Sequence, residues 1–248
     1  MARYIDGGQD YAPTGISQGI YESSSTQKAP LGTRLVFPDG RVFRYAHFVA
    51  DTNRALLVSQ DVSATCQAEA DNSLAAASAG ATTITVTASG VTANQYQGGY
   101  FITTDDTGEG YCYRIKSNTA TSGSTYTLEL YDGLVAAIDT TTDYSIVGNM
   151  WYKLRGATAA TDMLVSGVSV LTMDVSEAAY GWVQTWGVGV ILADASGGAI
   201  ARGDILTLSD GVTGAAQLQD AYTEQIIGYA LDTPDDTGHM PVWLQICP

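Results

Sequence analysis

The chain has 248 residues, 15% charged and 45% hydrophobic, with 26 acidic against 11 basic side chains for a net charge of −15. Charge density well below the roughly 25% usual for globular proteins, made up by Thr, Ser, Gly and Ala, excludes a coiled coil and a charge-driven disordered chain. So few Lys and Arg argue against a nucleic-acid surface, because neutralising phosphates takes clustered cations.

Only two histidines occur, His47 and His239, far apart, which leaves little material for His-based catalysis or a His-rich metal site. The three cysteines, Cys66, Cys112 and Cys247, are odd in number and form no CxxC pair. Neither a zinc ribbon nor a disulfide framework is expected, and a reducing compartment suits them. The first residues lack the apolar stretch of a secretory leader, and no uninterrupted apolar run reaches the ~18 residues of a membrane span. The expectation is a rigid β protein with a structural task, made in the cytoplasm and reaching the outside only by lysis or inside a particle.

Charge is uneven along the chain. Residues 1–54 hold six basic and five acidic residues, leaving −16 for residues 55–248. The first thirty residues lack periodicity and are rich in Gly, Ser and Gln, yet Tyr4, Tyr11, Ile16, Ile20 and Tyr21 are too frequent for a linker. They predict an extended arm that packs either on its own body or on a partner. A hairpin follows, with Thr33–Phe37 and Arg41–Tyr45 flanking Pro38-Asp39-Gly40. There Pro presets φ for the turn and Gly supplies the positive φ of a bulged loop. Alternation sets Val42 opposite Phe43 and Tyr45. Ala55–Val58 predicts a strand and residues 66–79 a short helix.

Strand patterns recur at Thr83–Ala88, Tyr111–Lys116 and Tyr126–Tyr131, with Gly98-Gly99, Gly108–Gly110 and Asp132-Gly133 as turns. Tyr111, Tyr113 and Ile115 fall on one face, Cys112, Arg114 and Lys116 on the other. A last group runs through Val168–Val175, Tyr180–Leu192, Asp204–Leu208, Glu224–Leu231 and Met240–Cys247. Alternation puts Trp182 and Trp186 on one face of the long strand, extended by Tyr180 and Val188. Gly181, Gly187 and Gly189 thin the other face for the approach of a neighbouring strand or subunit. The fold class is mainly β: an arm and hairpin over residues 1–60, then two antiparallel sandwich or barrel sections, 61–150 and 151–248.

Candidate chemistry is sparse. Asp105, Asp106 and Glu109, or Asp235, Asp236 and His239, invite a cation, but neither loop has EF-hand spacing and Asp in turns explains itself by geometry. Gly108-Glu109-Gly110 and Gly187-Val188-Gly189 lack the Gly-Lys-Ser/Thr sequel of a phosphate loop. No Gly-x-Ser-x-Gly elbow exists. Two carboxylates are all a glycosidase needs, so composition leaves that chemistry open. No cofactor and no catalysis are expected.

Three stretches carry a resemblance: Leu31-Gly32-Thr33-Arg34-Leu35-Val36-Phe37-Pro38-Asp39-Gly40-Arg41-Val42-Phe43-Arg44-Tyr45; Ala93-Asn94-Gln95-Tyr96-Gln97-Gly98-Gly99-Tyr100 with Gly108-Glu109-Gly110-Tyr111; and Trp182-Val183-Gln184-Thr185-Trp186-Gly187. In order, they resemble the capsid decoration, or cement, proteins of tailed bacteriophages. The resemblance implies a virion protein on the outer head surface, bound to the major capsid protein, self-associating and without an active site. Many decoration proteins are one small β-domain, so the additional section and the arm leave room for a receptor- or glycan-binding fibre or spike. Capsid-contact candidates are Arg3, Tyr4, Tyr11, Ile16, Ile20, Tyr21, Arg34, Arg41 and Arg44. Tyr180, Trp182, Trp186 and Val188 are candidates for a homo-oligomer interface, a trimer first and a dimer second.

Overall fold

The computed structural model describes residues 16, 18–61, 73–158, 164–196, 198–234 and 238–248, and residues 66–69 by their backbone. Among them are sixteen strands and no helix. In chain order these are β1 (Arg34–Val36), β2 (Val42–His47), β3 (Leu57–Gln60), β4 (Cys66–Glu69), β5 (Thr83–Thr87), β6 (Tyr100–Asp105), β7 (Cys112–Asn118) and β8 (Thr125–Leu130). There follow β9 (Asp143–Val147), β10 (Leu154–Gly156), β11 (Val165–Ser169), β12 (Tyr180–Leu192), β13 (Ile205–Leu208), β14 (Ala216–Leu218), β15 (Gly228–Ala230) and β16 (His239–Gln245). The mainly β, antiparallel class is as the alternation predicts. The short helix expected over 66–79 is not: residues 66–69 form β4 against β9, and Leu74 and Ala77 make isolated bridges to Val86 and Ile138.

The chain divides into two compact units, residues 63–150 and residues 1–62 joined with 151–248. The middle section is therefore an insertion, and the first and third sections are one body. Their union is a ladder: β2 pairs with β12 from Tyr180↔His47 through Trp186↔Val42.

The inserted unit is a six-stranded sheet in the order β4-β9-β6-β7-β8-β5. β7 pairs β6 through Cys112–Arg114 and β8 from Ile115 onward, with a register shift between Ile115 and Ser117. Clean alternation drives it. Tyr126, Leu128 and Leu130 point inward with Ile84, Val86, Tyr113 and Ile115, while Thr83, Thr85 and Thr87 face water. Each buried Leu or Ile removes apolar area worth about 1.5–3 kcal/mol. Gly99 is fixed by crowding, since a Cβ there would run into the Val147 carbonyl oxygen.

The larger unit holds a ten-stranded sheet, β10-β3-β11-β12-β16-β15-β13-β14, with the β1–β2 hairpin attached to β12. The hairpin turn is as predicted, with Gly40 at φ 87° and its amide donating to the Phe37 carbonyl. Val42, Phe43 and Tyr45 are all buried, so both faces of β2 are covered. Tyr45 and Trp182 meet edge-to-face at 5.2 Å between ring centroids. The segment after Ile16 closes over them. Ile20 is buried, the Trp182 indole donates to the Gln18 carbonyl at 3.1 Å and the Tyr45 hydroxyl donates to Gln18 Oε1 at 2.7 Å. The described part of the arm thus packs on its own body.

This placement generates a prediction. Deleting residues 1–30 strips the acceptors from two buried donors, a cost of about 1–3 kcal/mol each, and removes Ile20 from the core. The truncated protein should unfold at lower denaturant than the full chain, with red-shifted tryptophan emission. A truncation ending at Gly15 keeps these contacts and serves as the control.

Candidate functional site

β12 changes partners along its length. It pairs β2 over Tyr180–Trp186 and β16 over Trp186–Leu192. Between Gln184 and Trp186 the register slips, so these two residues oppose Phe43 and Val42, which are neighbours on β2. Adjacent strand residues point to opposite faces, so Trp182 and Trp186 do not share one. Trp182 lies in the core against Tyr45 and Ile20 with Tyr180 beside it. Trp186 and the half-exposed Val188 and Val190 turn outward instead. The glycines serve the chain's own packing rather than a second subunit. A Cβ on Gly187 would stand 3.1 Å from Arg41 Cα, one on Gly181 3.2 Å from Met173 Sδ, and one on Gly189 3.0 Å from Leu244 Cδ1.

On the other edge of β12, β11 pairs only at Val168↔Gln184 and Ser169↔Val183. The two strands then part, and Leu192 closes the gap by donating to the Ala55 carbonyl at 2.8 Å. The opening is a groove of about 380 Å³. Ladder alternation aims the N–H groups of Val188 and Val190, and the Val190 carbonyl, into it. Gln184 Nε2 holds two further edge carbonyls, those of Trp186 at 3.1 Å and Val188 at 2.8 Å.

The groove wall is apolar on β11 and β12, with Tyr21, Arg41, Arg54 and His239 at its rim and no acidic residue among those lining it. In a chain with 26 acids and 11 bases, that is a local inversion of charge. Arg41 is anchored: its Nε lies 2.6 Å from Asp39 Oδ2 and its guanidinium sits 5.1 Å from the Phe37 ring centroid. Burial pushes the Asp39 carboxyl up, but hydrogen bonds from the Arg41 amide and guanidinium outweigh it and hold the carboxyl below its ordinary range. The exposed Arg54 guanidinium has no ion pair among the described residues.

The sequence-predicted residues scatter. Arg3, Tyr4 and Tyr11 lie outside the described residues, as do Asp235 and Asp236. Ile16 and Ile20 pack inward, which removes them as external anchors. Arg44 is spent internally, bonded to the carbonyls of Gly32 and Pro248 with its guanidinium 5.2 Å from the Trp151 ring centroid. Arg34 is exposed, opposite Arg44. Ile16, Ile20, Tyr180 and Trp182 meet in the core, and Tyr21, Arg41 and Val188 meet at the groove. Arg54, Gln184 and Val190 are its further residues. The alternation Gly187-Val188-Gly189-Val190, small inward and apolar outward, was the signal for the last.

Catalytic groupings do not form among the described residues. His47 stacks on Tyr152 at 5.2 Å and meets Tyr180 at 4.9 Å, and neither imidazole is hydrogen-bonded to a carboxylate of the described residues. Asp105, Asp106 and Glu109 make a turn, with the Asp106 amide on Asp105 Oδ1. Asp210, Asp220 and Glu224 bring carboxylate oxygens within 4.8 Å of one another, but Glu224 Oε2 is used by the amides of Asp220 and Ala221. Buried Asp194 is structural: it accepts from the Ser196 amide and hydroxyl and from the Ser209 hydroxyl, and these bonds hold its carboxyl below the ordinary range. No helix among the described residues is long and apolar enough to cross a membrane.

No protein-family model, curated protein or solved structure matches this chain. Its function has to be argued from its own surfaces.

His47 supplies a pH prediction. Burial, then the charge of Lys153, push its imidazole below the usual value, so the folded state favours the neutral ring. The stability this gives is complete above the unfolded value near ~6.5 and is lost as pH falls through the lower folded value. Melting temperature should drop from pH 7 to pH 5, and the drop should shrink in His47→Gln. An identical slope in the variant would assign the acid sensitivity to other groups.

Proposed function

We propose that this chain is a structural virion protein that decorates and cements the outer surface of a tailed-phage head. The observation that carries this is the groove. Its apolar wall and strand edge suit polypeptide backbone, and its rim carries cations without the paired carboxylates or nucleophile–base pairs that turnover needs. The sequence resemblance to decoration proteins points the same way, and so do two units each built on an antiparallel sheet. The partner is the major capsid protein, and the site of action is the particle surface. Self-association suits the outer row that register places across three strands, Val188–Trp243–Tyr229, since aromatic anchors are enriched in interfaces. Several linked copies would add avidity to a weak single contact.

A second role, in a glycan-binding fibre or spike, draws on one feature of the inserted unit. Tyr100 and Arg114 are register partners, the Arg114 guanidinium sits 5.3 Å from the Tyr131 ring centroid, and both tyrosines are exposed. Such a row could stack on sugar rings.

Copy number separates the two. Densitometry of purified virions should give a fixed, high ratio of this protein to the major capsid protein, and stripped heads should bind added protein to saturation. A few copies per particle, with binding to host glycan lost in a Tyr100→Ala, Tyr131→Ala double variant, would establish the fibre role instead.

A further inference from the structure

We infer that the groove beside β12 is a strand-acceptor site for an extended, acidic peptide segment of a partner protein, which pairs with the Val188–Val190 edge and sets a carboxylate against Arg54. The backbone side of this follows from ladder geometry. Beyond Gln184 the edge of β12 has no neighbouring strand among the described residues until Leu192 meets Ala55. Exposed edges of this kind recruit other chains, and natural proteins usually blunt them with charge, proline or bulges. Here the exposed part of the edge carries two valines, 51% and 50% accessible. Gln184 occupies two of the edge carbonyls, so a guest strand is offered the Val188 and Val190 donors and the Val190 acceptor.

Charge chooses the guest. No acid lines the groove, Arg41 is already neutralised by Asp39, and Arg54 and His239 stand exposed at the rim. A carboxylate there gains a charge-assisted partner, while a cationic segment meets only like charge. Apolar side chains on alternate guest residues would continue the Val188–Trp243–Tyr229 row, as strand addition does in other recognition domains. The inference rests on the protein-binding role proposed above but not on the partner being a phage head.

The probe is a fluorescein-labelled, end-blocked peptide Glu-Val-Thr-Val-Thr-Glu, titrated into the full chain by anisotropy, with a control in which Lys replaces both Glu. The acidic peptide should saturate and bind at least tenfold tighter than the control. Arg54→Glu, at an exposed position, should cost tenfold or more, and Val190→Pro should abolish binding with the fold kept, because the lost N–H belongs to no ladder and is a donor offered to the guest. Equal binding of both peptides, or unchanged binding by Arg54→Glu, would overturn the inference. So would a solution dimer dispersed by Val190→Pro, which gives the edge to a second copy. Tighter peptide binding after removal of residues 1–15 would give it to the chain's own first residues and overturn it equally. Peptide binding without decoration of heads would reject the cement role alone; decoration unaffected by Arg54→Glu and Val190→Pro would reject the groove alone.

Discussion

The partner exchange along β12 governs the larger unit. One thirteen-residue strand serves the hairpin from the start of the chain and the last strand before its end, and it hands over from one to the other at an extra residue. Thr185 is that residue. It is fully buried, its carbonyl accepts the amides of both Ile246 and Cys247, and its hydroxyl reaches the Val42 carbonyl at 3.4 Å. Gly187 completes the turnover with φ 84°, a conformation in which a side chain would be strained even without Arg41 in the way. The slip reverses side-chain parity. That is why aromatic packing ends at Trp182, why the outer surface begins at Trp186, and why β11 can follow β12 for two residues and no further.

Much of the rest follows from that handover. The part of β12 before the slip is a floor for aromatic packing, and residues 18–29 form its cover, with Gln18 serving Tyr45, Tyr180 and Trp182 at once. A glutamine in that place is costly to remove because three partners depend on it. The part after the slip has one face in the core with Met240, Val242 and Leu244 and one open edge. The inserted unit needs none of this. Its own core of Leu, Ile, Val and aromatic side chains is complete within residues 63–150.

Short-range patterns were legible in several strands with one wet face, though β6, which alternates too, was missed. The alternation in β5, β7 and β8 matches their burial because period two maps directly onto it, although Tyr111, grouped with Tyr113 and Ile115, precedes β7 and is exposed. The Pro38-Asp39-Gly40 hairpin was legible from turn chemistry, and β12 from its length. β11 was displaced, since a fully buried pentapeptide such as Val165–Ser169 has no period to read, and β9 was missed although its burial alternates. The joining of residues 1–62 to 151–248 is a non-local pairing with no local signature. The site suffered most from the bulge. One unpaired residue, invisible in composition, converts a strip of Tyr180, Trp182, Trp186 and Val188 into a core pair and an outer pair. The groove then lies between segments whose proximity only the ladder specifies.

Amide exchange within β12 tests this architecture most directly. In the assigned NMR spectrum of the full chain, Gly187, Gly189 and Ile191 should exchange slowly, because their N–H groups belong to the ladder with β16. Val188 and Val190, alternating with them in the same strand, should exchange at least an order of magnitude faster. Equal protection across all five would mean that the edge is already paired, and would contradict the open groove on which the functional account stands.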